Sequence, residues 1–135
     1  NVLLNKKSGA LGVSGFSSDF RDIEEAAKGG NPDAVRVLET LSYQVAKYIG
    51  AYAVAMGGLD AVVFTAGLGE NNTTVRKYIC DRLGFLKTRL DDNKNNVRGQ
   101  LAEISTEDSQ VKLIVIPTNE ELAIAKDVQE IISKM

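Results

Sequence analysis

Histidine is absent from the chain and cysteine occurs once, as Cys80. Zinc sites of the common His/Cys kinds are therefore excluded, as are Ser-His-Asp and Cys-His catalysis, because each needs an imidazole or several thiolates. A lone thiol cannot close an internal disulfide, which agrees with a reducing, cytoplasmic setting. No block of lysine and arginine stands out and the formal net charge is −2, so nothing points to nucleic acid or to an anionic membrane surface. No apolar run approaches the ~20 residues of a membrane span, and no signal-like segment opens the sequence. Any chemistry must rest on carboxylates, Lys, Arg, hydroxyls, backbone amides or a hard metal.

What is present suffices for a core. The 135 residues are 44% hydrophobic and 25% charged, and residues 1–135 read as a single domain. The first residue is Asn1 rather than Met. Asn1 to Lys7 reads as the end of a helix closed by Ser8-Gly9, without its beginning, and the expectation is a fragment of a longer protein.

The stretch from Leu59 to Leu83 organises the rest. Ala61-Val62-Val63-Phe64-Thr65 reads as a buried strand. Gly67-Leu68-Gly69 reads as a tight turn, where glycine admits positive φ and close approach of a ligand to bare backbone. Val75, Ile79 and Leu83 mark one face of a helix, capped by Asn71 or Asn72 and ended by Gly84. Strand, glycine turn and helix start together present amide N–H groups to a ligand. A G-x-G alone lacks the full dinucleotide fingerprint. On local pattern the plain βα unit is the better reading.

Ser8 to Ser18 reads as a Gly/Ser loop with Leu11, Val13 and Phe16 tucked inward. Ser17 or Ser18 then caps a short acidic helix from Asp19, stopped by Gly29-Gly30. Asn31-Pro32-Asp33 is a strong helix start, with a cap residue, a proline in the first turn and an acid at the positive dipole end. Val35, Leu38, Leu41, Val45, Ile49, Tyr52 and Met56 then predict a helix of about seven turns, central and buried on more than one side. Gly57-Gly58 ends it, and Gly50 inside it marks close packing.

Residues 87–110 are mostly polar connection, with room for short strands near Lys87–Leu90 and Ala102–Ser105. Lys112 to Ile116 is a second buried strand, stopped by Pro117. Thr118 caps a last helix, with Glu121 as capping-box partner and Leu122, Ala125, Val128 and Ile132 as its apolar stripe. Alternating strands and helices predict an α/β fold. Strands without polar alternation predict a mostly parallel sheet with flanking helices. Both strands then end on one edge, bringing Gly67–Asn71 beside Thr118–Glu120, where open α/β sheets bind ligands.

Carboxylates beside exposed amides on that edge suit a phosphate–Mg²⁺ ligand. For Glu121 the capping box is the better reading. For Glu120 a dipole-favoured surface acid and a metal role are evenly matched on local pattern. For Asp19 and Arg21 a surface helix start is the commoner case. Cys80 falls among apolar helix positions and reads as a buried, inert thiol. Asp91–Asn96 lacks the spacing of an EF-hand and reads as a solvated turn.

Four blocks carry a resemblance. They are Asn5-Lys-Lys-Ser-Gly-Ala-Leu-Gly-Val-Ser-Gly, Ser17-Ser-Asp-Phe-Arg-Asp, Asp60-Ala-Val-Val-Phe-Thr-Ala-Gly-Leu-Gly-Glu-Asn and Val115-Ile-Pro-Thr-Asn-Glu-Glu-Leu-Ala-Ile-Ala. In this order, over the whole chain, they resemble the carboxyl-terminal third of the acetokinase family. The resemblance implies part of a ribonuclease H-like (actin-like ATPase) domain and, in the whole protein, Mg²⁺-dependent phosphoryl transfer between ATP and acetate, giving acetyl phosphate and ADP. It implies nucleotide binding by Asp19, Phe20, Arg21, Gly67, Leu68, Gly69, Glu70 and Asn71, and a magnesium role for Glu120. It implies a homodimer acting on small molecules, with no nucleic acid or membrane partner.

The family's catalytic arginines, aspartate and histidines, its phosphate-gripping hairpin and its acyl pocket have no counterpart in this sequence. The chain by itself is therefore expected to be inactive, with no catalytic residue of its own. Two other readings compete: a free-standing nucleotide-binding or dimerisation module, and the equivalent part of a propionate kinase.

Overall fold

A computed structural model describes residues 1–134. Its element order is α1 (Val2–Lys6), α2 (Gly9–Ser14), α3 (Phe20–Lys28), α4 (Pro32–Met56), β1 (Ala61–Phe64), α5 (Ala66–Asn71), α6 (Thr73–Cys80), β2 (Ala102–Glu103), β3 (Lys112–Val115) and α7 (Glu120–Ser133). The class is α/β, as the alternation of elements predicts.

The long helix forms where its start signal stands. Asn31 Oδ1 accepts from the backbone N–H groups of Asp33 (2.9 Å) and Ala34 (3.1 Å). Pro32 opens the first turn, and Gly57, at φ 74°, closes the last. Positive φ there is cheap only without a Cβ. The buried face is Ala34, Val37, Leu38, Ser42, Ala46 and Ala53. Burial on several sides is not found. Tyr52 and Met56 are 63% and 64% exposed, Tyr48 stacks beside Tyr52, and Tyr43, about half a turn round the helix, is exposed as well. Apolar residues line both faces of α4, so periodicity could not choose which one faces inward.

The sheet is small and mixed, in the order β1-β3-β2. β1 and β3 are parallel, with Ala61 opposite Lys112 and Phe64 opposite Val115. β2 runs antiparallel to β3. Val62, Phe64, Leu113 and Val115 face a core that includes Ile23, Leu38, Val75, Ile79 and Leu83. Val63, on the other face, is exposed. The strands were expected to be covered on both sides. Here the helices cover one, and β1 ends the sheet with an edge that is unpaired among the described residues.

Three local expectations are corrected. Residues 8–18 are not all loop, since α2 runs through them, and Ser14 rather than Val13 or Phe16 turns inward; Leu11 is half-buried. Ser14 Oγ donates to Ser17 O (2.7 Å) and accepts from Ser17 N (3.2 Å), folding the chain back on itself. The helix after the glycines ends at Cys80, before a 3-10 turn at Gly84–Leu86. Finally, Asn119 caps α7 instead of Thr118, with Oδ1 accepting from Leu122 N–H at 3.0 Å. Glu121 therefore has no capping-box partner. No residue of α7 is buried.

Candidate functional site

The start of α3, helix α5 and the loop carrying Arg98 line a cleft of about 460 Å³. One wall is the start of α3. Asp19, not Ser17 or Ser18, is its cap, accepting from Arg21 N–H at 2.9 Å. The Arg21 guanidinium turns back onto the same carboxylate, with Nη2 2.5 Å from Oδ2. That side-chain hydrogen bond, with the backbone one, holds the Asp19 carboxyl down to about 2. Asp19 is thus ionised at any physiological pH and pre-paired with a cation. Phe20, half-buried, packs its ring against the core and lines the cleft.

The opposite wall is α5, where the sequence suggested a glycine turn. The left-handed step falls on Ala66 (φ 58°) instead, and Gly67-Leu68-Gly69 is already helical. The two glycines differ in role. A Cβ on Gly67 would meet nothing within 4 Å, whereas one on Gly69 would lie 3.1 Å from the Phe64 carbonyl carbon. Gly67 therefore lines the cleft, and Gly69 lets α5 lie against its own strand. Leu68 and Asn71 complete this wall. The Asn71 amide donates to Gly67 O (3.0 Å), which pins it along the helix.

Glu70 sits behind the wall. It is 8% exposed, and its Oε1 accepts from both the N–H and the hydroxyl of Thr118. These bonds hold the Glu70 carboxyl below the ordinary range. The meeting of Gly67–Asn71 with residues 118–120 at one sheet edge is thus found. Glu120 opens α7 on that edge, exposed and outside the cleft lining. Among the described residues, no cluster of three or more carboxylates or thiols could hold a metal.

The cleft therefore gathers Asp19, Phe20, Arg21, Gly67, Leu68 and Asn71. Gly69 and Glu70 support it from behind, and Glu120 stands apart. Three further residues complete it, Glu24, Asn72 and Arg98, none of which the sequence assigned to a ligand site. Glu24, one turn into α3, accepts from Lys28 (2.8 Å), Arg98 (3.0 Å) and the Asn72 amide (3.1 Å). Burial pushes the Glu24 carboxyl up, but the Lys28 and Arg98 bonds outweigh it and leave it low. Asn72 Oδ1 caps α6 at Val75 N–H (2.9 Å), which resolves the choice of cap. Asn72 was legible as a cap; Glu24 and Arg98 are joined across 74 positions, and no local pattern announces such a pair. Cys80 is buried, and burial pushes its thiol up to about 12.

In size the cleft falls in the range of small-molecule sites. Phe20 and Leu68 offer flat apolar surface, Gly67 an open backbone approach, and Asp19, Arg21, Glu24 and Arg98 a charged rim. No nucleophile stands beside a free base. The arrangement can bind and orient a ligand with a planar apolar part and a polar, charged part. A nucleoside phosphate fits that description. A metal caged by protein alone does not. Mg²⁺ fits only as an ion held chiefly by phosphate and water, with one carboxylate contributed by the protein.

The acetokinase family profile matches residues 1–126. The chain is 61% identical over 132 residues to the acetate kinase of Carboxydothermus hydrogenoformans, covering 98% of this chain and 33% of that protein. It is 54% identical to that of Methanosarcina thermophila, covering 98% and 32%. Among solved structures, Porphyromonas gingivalis acetate kinase superposes with a TM-score of 0.87 at 48% identity, covering 97% of this chain and 33% of that one. A propionate kinase from Francisella tularensis superposes at 0.82 and 39% identity, covering 92% and 31%. The chain thus spans about a third of the length of the relatives it matches.

Proposed function

The chain belongs to the acetokinase family, and from that premise we propose that it is the carboxyl-terminal, nucleotide-side part of a longer acetate kinase, which moves a phosphoryl group between ATP and acetate. The observation that carries this reading is the cleft. Two segments far apart in sequence, 19–21 and 67–71, form its facing walls, and both lie in blocks that resemble the family.

In this reading the base lies between Phe20 and Leu68, over the open face of Gly67. Asp19 accepts from ribose hydroxyls. Arg21 lies 91% exposed along its side chain and can swing from Asp19 to a phosphate oxygen. Glu70 does not touch the ligand. It sets the distance between α5 and the segment leading to Glu120. Bound Mg²⁺ neutralises phosphate charge, and Glu120 is the carboxylate that would hold it or a water on it. Phosphoryl transfer itself depends on positioning and charge neutralisation, and this chain supplies the first and, through Arg21 and Glu120, part of the second.

The likeness to a propionate kinase supports propionate as a second acceptor. The exposed Tyr43, Tyr48 and Tyr52 on α4 support a homodimer. A cytoplasmic location is part of the same proposal; among the described residues no helix is long and apolar enough to cross a membrane.

The test is acyl phosphate formation from ATP and acetate, or propionate, by the longer protein and by this chain alone. Activity in the longer protein and none in the chain supports the proposal. Activity in the chain alone overturns the assignment of the transfer machinery elsewhere. ATP binding without acyl phosphate in the longer protein favours a plain nucleotide-binding module.

A further inference from the structure

Arg76 is the largest fully buried side chain among the described residues, at 0% exposure. No carboxylate is paired with it among those residues. Its guanidinium instead meets five oxygens. Nε donates to Asn95 Oδ1 (2.8 Å). Nη1 donates to Gly69 O (2.8 Å) and Glu70 O (3.0 Å). Nη2 donates to Asn95 O (2.8 Å) and Val97 O (2.8 Å). A guanidinium has five N–H donors in a fixed planar fork, and here each has an acceptor.

A buried cation without a counter-charge is costly. Burial, and then the nearby Arg98 charge, push the Arg76 pKa down. Stability alone does not account for the choice, because an apolar residue of similar volume would avoid that cost. Geometry does account for it. Residues 95–99 have no ladder of their own, and α5 ends in carbonyls that need donors. Arg76 satisfies both sets at once and so fixes one against the other. Gly99 N–H adds a bond to Glu70 O at 3.2 Å.

Arg98 lies between Val97 and Gly99, which are both anchored in this way. It reaches across the cleft to Glu24, and Asn72 holds the other Glu24 oxygen. The circuit runs from α6 through Arg76 to the loop, through Arg98 to α3, and back through Asn72 to α6. We propose that Arg76 is the positioning residue for the nucleotide cleft, acting through the 95–99 loop to hold Arg98, its third wall, against Glu24 of α3. This rests on the nucleotide reading above and extends it to residues that do not touch the ligand.

The test uses the longer protein. Arg76→Lys keeps the charge but loses the fork, since an ammonium has three donors on a single atom. The expected result is a KM for ATP about tenfold higher, with kcat and the KM for acetate little changed. Arg98→Ala should raise the same KM, and the double variant should be no worse than the larger single effect, because the two act in series. Hydrogen exchange at Val97 and Gly99 should quicken in Arg76→Lys whether or not nucleotide is present. If Arg76→Lys does not fold, Asn95→Ala removes one acceptor and is judged by the same criteria. Equal loss of kcat and both KM values, or additive effects with Arg98→Ala, would overturn the proposal. Faster exchange with unchanged ATP KM would overturn it and leave the nucleotide reading intact. Failure of the unaltered protein to bind ATP would instead remove the nucleotide reading itself.

Discussion

Glu70 Oε1 accepts two hydrogen bonds from Thr118, 2.8 Å from its backbone nitrogen and 2.9 Å from its hydroxyl. One oxygen thus joins the helix after β1 to the first residues beyond β3. The two parallel strands are neighbours in the sheet, and Glu70 ties their exits together where the sheet ladder has stopped. The residue sits in the family-like glycine segment but works as a strut.

Glu70→Gln should lower the melting temperature at neutral pH. The folded pKa is depressed, by the Thr118 N–H first and its hydroxyl second. The stability it contributes is therefore present above the ordinary glutamate range and is lost as pH falls through the folded value. The difference between wild type and variant should shrink to nothing on acidification. A difference that persists in acid would show that the charge is not what matters.

The two glycines of α5 should separate cleanly. Gly69→Val places a branched side chain 3.1 Å from the Phe64 backbone, and overpacking of this kind costs about 1–3 kcal/mol. Gly67→Ala meets open space and gains up to about 1 kcal/mol of helix propensity, while its methyl obstructs the cleft. Thermal denaturation with ATP titration reads both. A stable Gly69→Val or an unaffected affinity in Gly67→Ala would contradict the geometry.

Reading Gly67-Leu68-Gly69 as a turn from sequence had a physical reason. Glycines punctuate turns more often than they build helices, yet the left-handed step is taken by Ala66, and Gly69 is needed for contact with Phe64. The Asn31-Pro32 helix start and both strand runs were legible because their signals are local, and the shared edge followed from the parallel pairing of those strands. Arg76 was not. Its position among Val75, Ile79 and Cys80 marks a buried face, but its partners are unpatterned carbonyls up to 21 residues away. The outer face of α4 was misread because apolar residues ring that helix.

The Asp19–Arg21 pairing should survive mild acid. Its folded pKa of about 2 lies below the ordinary 3.8. The interaction is therefore complete above the unfolded value and fades as pH drops from about 3.8 towards 2. Carboxyl chemical shifts followed by NMR should place the Asp19 midpoint well below those of unpaired aspartates. Arg21→Ala should raise it towards the ordinary range, while the backbone N–H of residue 21 still holds it below.

Glu120→Gln in the longer protein should lower turnover more than ATP affinity, and raising Mg²⁺ should restore part of the loss. The motivation is its place at the start of α7, two residues beyond the Glu70 strut. Turnover across a Mg²⁺ titration that matches the unaltered protein would rule out a metal role.

The sequence contains no tryptophan and four tyrosines. Three of them, Tyr43, Tyr48 and Tyr52, are exposed on α4, with the Tyr48 and Tyr52 rings 6.5 Å apart. Their light emission comes from rings that water reaches in the folded chain as in the unfolded one. Loss of the core should register chiefly through Tyr78, which packs against it, whereas any surface laid over α4 should change the emission of the other three. Optically, the chain reports on its neighbour more than on itself.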